Sequence, residues 1–461
     1  MALLLVLGFS FSQLFTMPAP LTAGDWNIFL LFFLTIVGVL WQPYPIGTIV
    51  IISLGLGCLT GVMTLDQTLK GFSSSVTWII IAAFLFARSF IKTGLGRRIA
   101  LYFIRAIGSS SLRLGYALTL TDLVLAPVTA SNTARSGGII FPVARALALE
   151  FKSEPETSPR RIGAYLLFTA YQSNVVTSAM FLTAMAANAL TVQFARDVAS
   201  VEITWTLWMQ AAILPGLVSL ALVPWIIHRL YPPELSATPE AITYAQRELS
   251  ALGDWQFQEK ILAGVFLLLG GTWATSVFHG IPTVAAALTA VGVLLVLNVL
   301  EWEDVISEKR AWATLIWFGG FISLAGALTA SNLMPWLVDH ARIWLAGWNA
   351  LAALIVLIVA YTFLHYVFAS MTAHIIALYA AFLAIALAAG APPLLAALGL
   401  CFFSNLYATL THYGDGAAPV YFGSGYINQK DWWIVGFVLA LAHLVVWLGI
   451  GLPYWKLLGI W

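Results

Sequence analysis

Two short segments of this sequence set hydroxyls, amides and a basic residue into otherwise apolar surroundings. The first is Ser131-Asn132-Thr133-Ala134-Arg135, within the stretch from Ala126 to Gly138, and the second is Ser370-Met371-Thr372-Ala373-His374. Both read Ser-x-Thr-Ala-basic, and each is followed further on by a Ser-Asn pair, Ser173-Asn174 and Ser404-Asn405. Hydroxyls and side-chain amides donate hydrogen bonds to carboxylate oxygens. A helix that begins at such a segment adds free N–H groups and the positive end of its dipole. Two such tips could each grip one carboxylate of a small dianion. Arg135 is the arginine placed deepest in apolar sequence. A guanidinium there costs at least ~2.5 kcal/mol on insertion scales, so it needs a partner or a task. His374 holds the matching place. A tethered cation beside each tip would compensate an anionic substrate without a metal ion. Asp122, another charge at membrane depth, offers Arg135 a structural partner instead, and the two roles are compatible.

The bland reading of each motif is also physical. Serine and threonine in membrane helices commonly bond back to their own helix or join neighbours. It is the correspondence between the two segments, each ending in a basic residue, that points to function. His365 and His412 have no such counterpart and read as structural. No histidine or cysteine falls at metal-ligand spacing, so neither a metal nor another cofactor is expected. The sequence has no phosphate-binding loop, G-x-S-x-G elbow or H-E-x-x-H pair, which argues against a pump driven by ATP and against an enzyme.

The elements that must carry these segments are membrane helices. Of the 461 residues, 61% are hydrophobic and 9% charged, with mean hydropathy +0.92. A soluble domain carries about 25% charged residues, so a chain this apolar must face lipid. The net charge of +1 leaves no basic surface for nucleic acid. Cys58 and Cys401 lie in apolar runs and read as small packing residues. The first 20 residues lack a basic start and an A-x-A-like site, so a retained N-terminus is expected.

Apolar runs fall at 27–41, 46–64, 76–94, 112–129, 162–190, 203–229, 258–277, 282–300, 312–330, 347–368, 370–390, 393–412 and 431–455. Some are too short or too polar for simple spans, which leaves roughly ten to twelve crossings plus re-entrant pieces. Basic residues cluster at Arg88–Arg105, at Arg145–Arg161 and around the polar stretch 231–257, which reads as a surface helix. These loops are expected on the cytosolic side. Irregular backbone at membrane depth must be buried in protein or line a cavity, because unsatisfied peptide groups cost several kcal/mol each. Matching polar interruptions in two halves of a chain mark the substrate site of a transporter. The expected division is an N-terminal repeat, 1–257, with the first tip and the surface helix, and a C-terminal repeat, 258–461, with the second tip.

Ser131-Asn132-Thr133-Ala134-Arg135, the downstream Phe141-Pro142 and the stretch from Thr411 to Tyr426, with its Tyr-Phe-Gly-Ser-Gly, resemble the divalent anion/sodium symporter family. The similarity runs over nearly the whole chain and is nearest to the branch that exchanges 2-oxoglutarate for malate or citrate for succinate. The resemblance implies an all-α polytopic fold of two inverted repeats, each with a re-entrant hairpin and a broken helix. It also implies a scaffold domain with a homodimer interface and a transport domain that moves like an elevator. By the same resemblance Ser131, Asn132 and Thr133, with Ser370, Met371 and Thr372, would bind substrate carboxylates. Ser173, Asn174, Ser404 and Asn405 would line the broken helices and take part in substrate binding.

Met371 stands where the sodium-coupled branch has asparagine, and a thioether replaces neither the donor nor the acceptor of an amide. Arg135 and His374 would then supply the positive charge. Moving that charge through the closed state without an anion is costly, so the carrier would return only when loaded. The expected activity is sodium-independent exchange of malate, succinate, fumarate or 2-oxoglutarate, with citrate or tartrate as further anions; sodium-coupled symport is the alternative. The expected setting is lipid, in a bacterial inner membrane or an organellar envelope. Asp415 would repel substrate, compensate His374 or lie exposed in a loop.

Overall fold

The computed structural model describes residues 21–344 and 347–461. The expectation of a retained N-terminus concerns residues outside these. Among the described residues every regular element is a helix, apart from one isolated bridge between Ser110 and Ala237. Eight helices among them are long and apolar enough to cross a membrane, and the shorter Ile46–Leu59 and Thr283–Val296 are also apolar. The chain is an integral, multi-pass membrane protein.

Two helices at the centre show what a fully surrounded segment looks like. All 18 residues of Gly163–Met180 are buried, and Pro393–Leu406 is buried from Leu395 onward. A helix that is apolar on every side belongs inside a bundle. Both break. The first gives way at extended Phe181 to the 3-10 turn Leu182–Ala184 before Ala186–Ala199 resumes. The second tightens into Tyr407–Leu410 and ends at extended Thr411.

The helices before and after the tips repeat one plan. Ser111–Leu125 runs into a 3-10 turn at Ala126–Val128, where Pro127 lacks the N–H to continue an α-helix. The backbone extends to Ser131, which caps Asn132–Arg135; a π-turn at Ser136–Ile140 follows, then the helix Phe141–Glu150. In the second half Ala350–Leu364, His365–Val367, Met371–His374, the π-turn Ile375–Tyr379 and Ala380–Ala388 follow in the same order.

Around this centre, the segment Leu65–Ser73 packs against Lys309–Thr329. The approach is close. A Cβ on Gly71 would lie 1.8 Å from the Gly319 carbonyl oxygen, and the Gly71 N–H donates to Ser323 Oγ at 2.9 Å.

Charge gathers on the side opposite the start of Ser75–Thr93. That helix ends at Gly94, whose φ of +74° lets the chain turn into the amphipathic Leu95–Ile107. Arg98 turns inward to buried Glu259 at 2.8 Å. Arg97 meets Glu248 at 2.5 Å and Arg247 meets Glu150 at 3.0 Å. Both pairs tie down Pro239–Leu252, the surface helix anticipated within 231–257. Lys92 and Arg88 reach Asp304 at 2.5 and 3.3 Å.

Candidate functional site

Ser131 and Ser370 do the same local work. Each lies in extended conformation, and its Oγ accepts from the backbone N–H three residues on, Ala134 at 3.1 Å and Ala373 at 3.4 Å. This N-cap restarts the helix at membrane depth; the Thr133 N–H is spent on Asn132 Oδ1 at 2.8 Å, which leaves the N–H groups of Asn132, Met371 and Thr372 for a ligand. The two tips come from opposite halves of the chain and meet. Ser131, Asn132, Thr133, Ser370, Met371 and Thr372 all line one cavity of about 240 Å³. The distance from Asn132 Nδ2 to Met371 Sδ is 3.9 Å. Met185, Ala186 and Ala187 from the first broken helix line the same cavity, and Thr314 and Trp317 face it from Lys309–Thr329.

The two basic residues lie elsewhere. Arg135 is fully buried behind the first tip. All five of its N–H donors are used: Nε on Asp122 Oδ1 (3.0 Å), Nη1 on the carbonyls of Thr129 and Ala184 (both 3.0 Å), and Nη2 on Thr177 Oγ1 (3.3 Å) and Ser178 Oγ (3.1 Å). The placement corrects the expectation of a cation standing beside the substrate. A guanidinium in the bilayer interior is stable only when paired and fully hydrogen-bonded, and Asp122 meets that need first. Asn174 Nδ2 donates to both Asp122 oxygens, at 3.1 and 3.2 Å, and Thr177 donates to Oδ2.

His374 is also fully buried and is not among the residues lining the cavity. Its ring lies parallel to Tyr407, with centroids 4.4 Å apart and an interplanar angle of 1°. Phe368 and Tyr361 flank it at 4.6 and 4.5 Å. Its Nδ1 is 3.0 Å from Nδ1 of His365. Among the described residues no carboxylate is bonded to it. The position equivalent to Asp122 in the second half is Tyr361, whose hydroxyl meets Ser404 at 2.9 Å. The cation of the first tip is therefore neutralised locally, whereas a charge on His374 would not be.

The Ser-Asn pairs join helices and do not line the cavity, against expectation. Ser173 meets Thr119 at 2.7 Å, and Asn174 serves Asp122. Asn405 Nδ2 donates to Asn188 Oδ1 at 2.7 Å, across the two halves. Buried helices without solvent must satisfy their polar groups on one another. The oxygens Asn174 Oδ1 and Asn405 Oδ1 are buried with no hydrogen-bond partner among the described residues.

Asp415 is the residue whose place the sequence left open. It is neither exposed nor bonded to His374; it lines the cavity with Gly416. Its Oδ2 accepts from Asn132 Nδ2 at 2.9 Å, and Oδ1 accepts from the Ala417 and Ala418 N–H groups at 3.0 and 2.7 Å and from Tyr171 at 3.3 Å. An aspartate between two glycines directly after a buried helix was the available signal. The cavity wall thus holds one carboxylate and no lysine, arginine or histidine. Charge compensation for an anion must come from the two helix starts and from groups one layer deeper.

Comparison with known proteins places this architecture. YflS of Bacillus subtilis strain 168, provisionally named a malate transporter, is 47% identical over 445 residues, covering 96% of this chain and 93% of that protein. The chloroplastic dicarboxylate transporter 1 of Arabidopsis thaliana is 40% identical over 449 residues, covering 96% and 80%. The inner membrane protein YbhI of Escherichia coli K12 is 38% identical over 454 residues, covering 96% and 95%. The crystal structure of the YdaH transporter of Alcanivorax borkumensis shares the fold with TM-score 0.61 at 14% identity, over 94% of this chain and 98% of that one. The profile of the sodium:sulfate symporter transmembrane region matches residues 1–461. With its two tips, broken helices and cavity, the chain belongs to the divalent anion/sodium symporter family and is a membrane transporter, not an enzyme.

Proposed function

We propose that this chain carries C4 and C5 dicarboxylates, such as malate, succinate, fumarate and 2-oxoglutarate, across a bacterial inner membrane by exchange. Citrate and tartrate are the further candidates. The observation that carries the reading is the pair of serine-capped tips, one from each half, facing one cavity of about 240 Å³. Two helix starts with hydroxyls at each suit an anion with a carboxylate at either end. The relatives named for malate and dicarboxylate transport support the same class. Ser131, Asn132 and Thr133 hold one carboxylate, and Ser370 and Thr372 the other, with Met371 packing against the carbon chain. The two repeats, 1–257 and 258–461, are inverted. The tips and broken helices travel as one body against a scaffold containing Lys309–Thr329, in an elevator stroke, within a homodimer surrounded by lipid.

Exchange without sodium is supported by Met371. A hard cation takes oxygen ligands, and the second tip offers sulfur where the first offers the Asn132 amide. Since Arg135 is neutralised by Asp122, positive charge for the loaded state comes from the helix starts and from His374. Sodium-coupled symport is the second reading. It is favoured by Asp415 in the cavity wall and by the unpartnered oxygens of Asn174 and Asn405, acceptors of the kind such a cation would use.

The test is uptake of radiolabelled malate into proteoliposomes, with and without internal dicarboxylate, in sodium and in sodium-free buffer. Exchange gives uptake that needs internal substrate and ignores sodium. Sodium-dependent uptake into empty vesicles would overturn exchange and leave the substrate class standing.

A further inference from the structure

The imidazole pair behind the second tip has a proton arrangement that its partners dictate. His365 Nε2 lies 3.0 Å from the Gly414 carbonyl oxygen. A carbonyl only accepts, so Nε2 of His365 carries a hydrogen. In neutral His365, Nδ1 is then a lone pair, and the 3.0 Å contact requires the hydrogen of His374 to sit on its own Nδ1. What remains is Nε2 of His374, a buried lone pair with no hydrogen-bond partner among the described residues. Three aromatic faces surround this ring, from Tyr361, Phe368 and Tyr407. Such faces attract an imidazolium.

From this geometry we infer that His365 is a positioning residue that fixes the tautomer of His374, and that the site takes up one proton at Nε2 of His374 as a dianion enters. The inference rests on the reading of His374 as the charge of the second tip. The step is a single proton transfer. A proton from water adds to the Nε2 lone pair, the ring becomes an imidazolium of charge +1, and no other bond changes. Nδ1–H of His374 stays donated to His365, and becomes a stronger donor in the charged ring. On release of the substrate the proton returns to water.

The other ionisable groups on the surrounding elements are already engaged. Tyr361 meets Ser404, Tyr407 donates to the Met371 carbonyl at 3.1 Å, and Cys401 meets Tyr379 at 3.2 Å. On the helix Ala23–Trp41, which also packs against Met371–His374, Asp25 accepts from Asn332 and Thr22. Asp415, next to Gly414, accepts from Asn132, Tyr171 and two backbone N–H groups. None of these supplies a carboxylate to His374, so the proton itself is the available source of charge.

The experiment compares pH profiles of labelled-malate exchange in proteoliposomes for the wild type, His365→Phe, His365→Gln and His374→Gln. His365→Phe keeps the ring on Tyr407, 4.0 Å away in the native protein, and removes the acceptor for His374. The pH of half-maximal exchange should fall by about one unit, a tenfold rise in the proton concentration needed, the scale of one charge-assisted hydrogen bond. His365→Gln restores an acceptor and should return the profile toward the wild type. His374→Gln should abolish the pH dependence. If His374→Gln leaves the profile unchanged, the reading of His374 fails. If it flattens the profile but His365→Phe lowers exchange by the same factor at every pH, the role given to His365 fails. Should His365→Phe not fold, nitrogen-15 spectra of the wild type at pH 8 decide the matter: a hydrogen on Nε2 of His374 would overturn the inference, and one on Nδ1 supports it.

Discussion

Replacing Arg135 by glutamine separates its two possible tasks. The native guanidinium spends five donors on five acceptors, and both it and the Asp122 carboxylate are essentially inaccessible to solvent. Glutamine has two donors. It cannot replace the charge, so Asp122 is left as a buried anion served only by Asn174 and Thr177. Breaking a buried pair from one side costs about 3–5 kcal/mol. At about 2.1 cal/mol/K of unfolding entropy per residue, a chain of 461 residues loses roughly 1 °C per kcal/mol. The expected fall in melting temperature is therefore ~3–5 °C, read by tryptophan fluorescence in detergent. The double variant Asp122→Asn with Arg135→Gln removes the orphaned anion as well and should regain most of that loss. Malate affinity, measured on the same samples, should change less than tenfold in the double variant. The opposite pattern, an unchanged melting temperature with affinity lost in both variants, would refute the reasoning and return Arg135 to the substrate.

Two further outcomes are expected. A Cβ on Gly416 would lie 2.5 Å from Thr133 Oγ1 and otherwise has room. Gly416→Ala should therefore swing that hydroxyl aside and raise the KM for malate by about 10- to 100-fold, the worth of one hydrogen bond to a charged group; an unchanged KM would remove Thr133 from the site. Burial alone would raise the carboxyl of Asp304, but hydrogen bonds from Lys92 and the Glu301 backbone outweigh it and hold the group below the ordinary carboxylate value. A depressed folded-state value stabilises the fold above the unfolded value of about 3.9 and ceases to do so as pH falls through the folded one. Below about pH 4 the melting temperature of the wild type should thus drop more steeply than that of Asp304→Asn, and parallel curves would contradict this.

The tips were legible because their information is local. A serine in extended backbone, a threonine two residues on and a surrounding apolar run define a capped helix start wherever they occur, and all six predicted tip residues share one cavity. The helices were legible from hydropathy alone, and so was the surface helix Pro239–Leu252. What escaped depends on distant partners. Whether Arg135 faces a substrate or Asp122 is decided by how Ser111–Leu125 packs against the tip. His365 meets His374 only because a 3-10 turn and an extended stretch bring two rings nine residues apart into contact. Asp415 reaches Asn132 from 283 residues away. The Ser-Asn pairs had the right composition for a site, but they lie in helices so thoroughly buried that their hydroxyls and amide N–H groups are claimed by neighbours.

The π-turns at Ser136–Ile140 and Ile375–Tyr379 bear on how such a protein can be altered. A π-turn is an α-helix holding one residue more than its turn needs. Each residue advances an α-helix by about 100°. Tightening the first of these turns into a plain α-turn with all its residues kept would therefore rotate the whole stem beyond it relative to the tip, turning Val143, Ala144 and Leu147 out of the packing they now occupy. The extra residue sets the phase between a tip that must show hydroxyls to the cavity and a stem that must show apolar side chains to its neighbours. Both halves carry it directly after the basic residue. An inserted residue is then far less tolerable here than in the loops, and any grafting of these tips onto another scaffold must bring the turn with them.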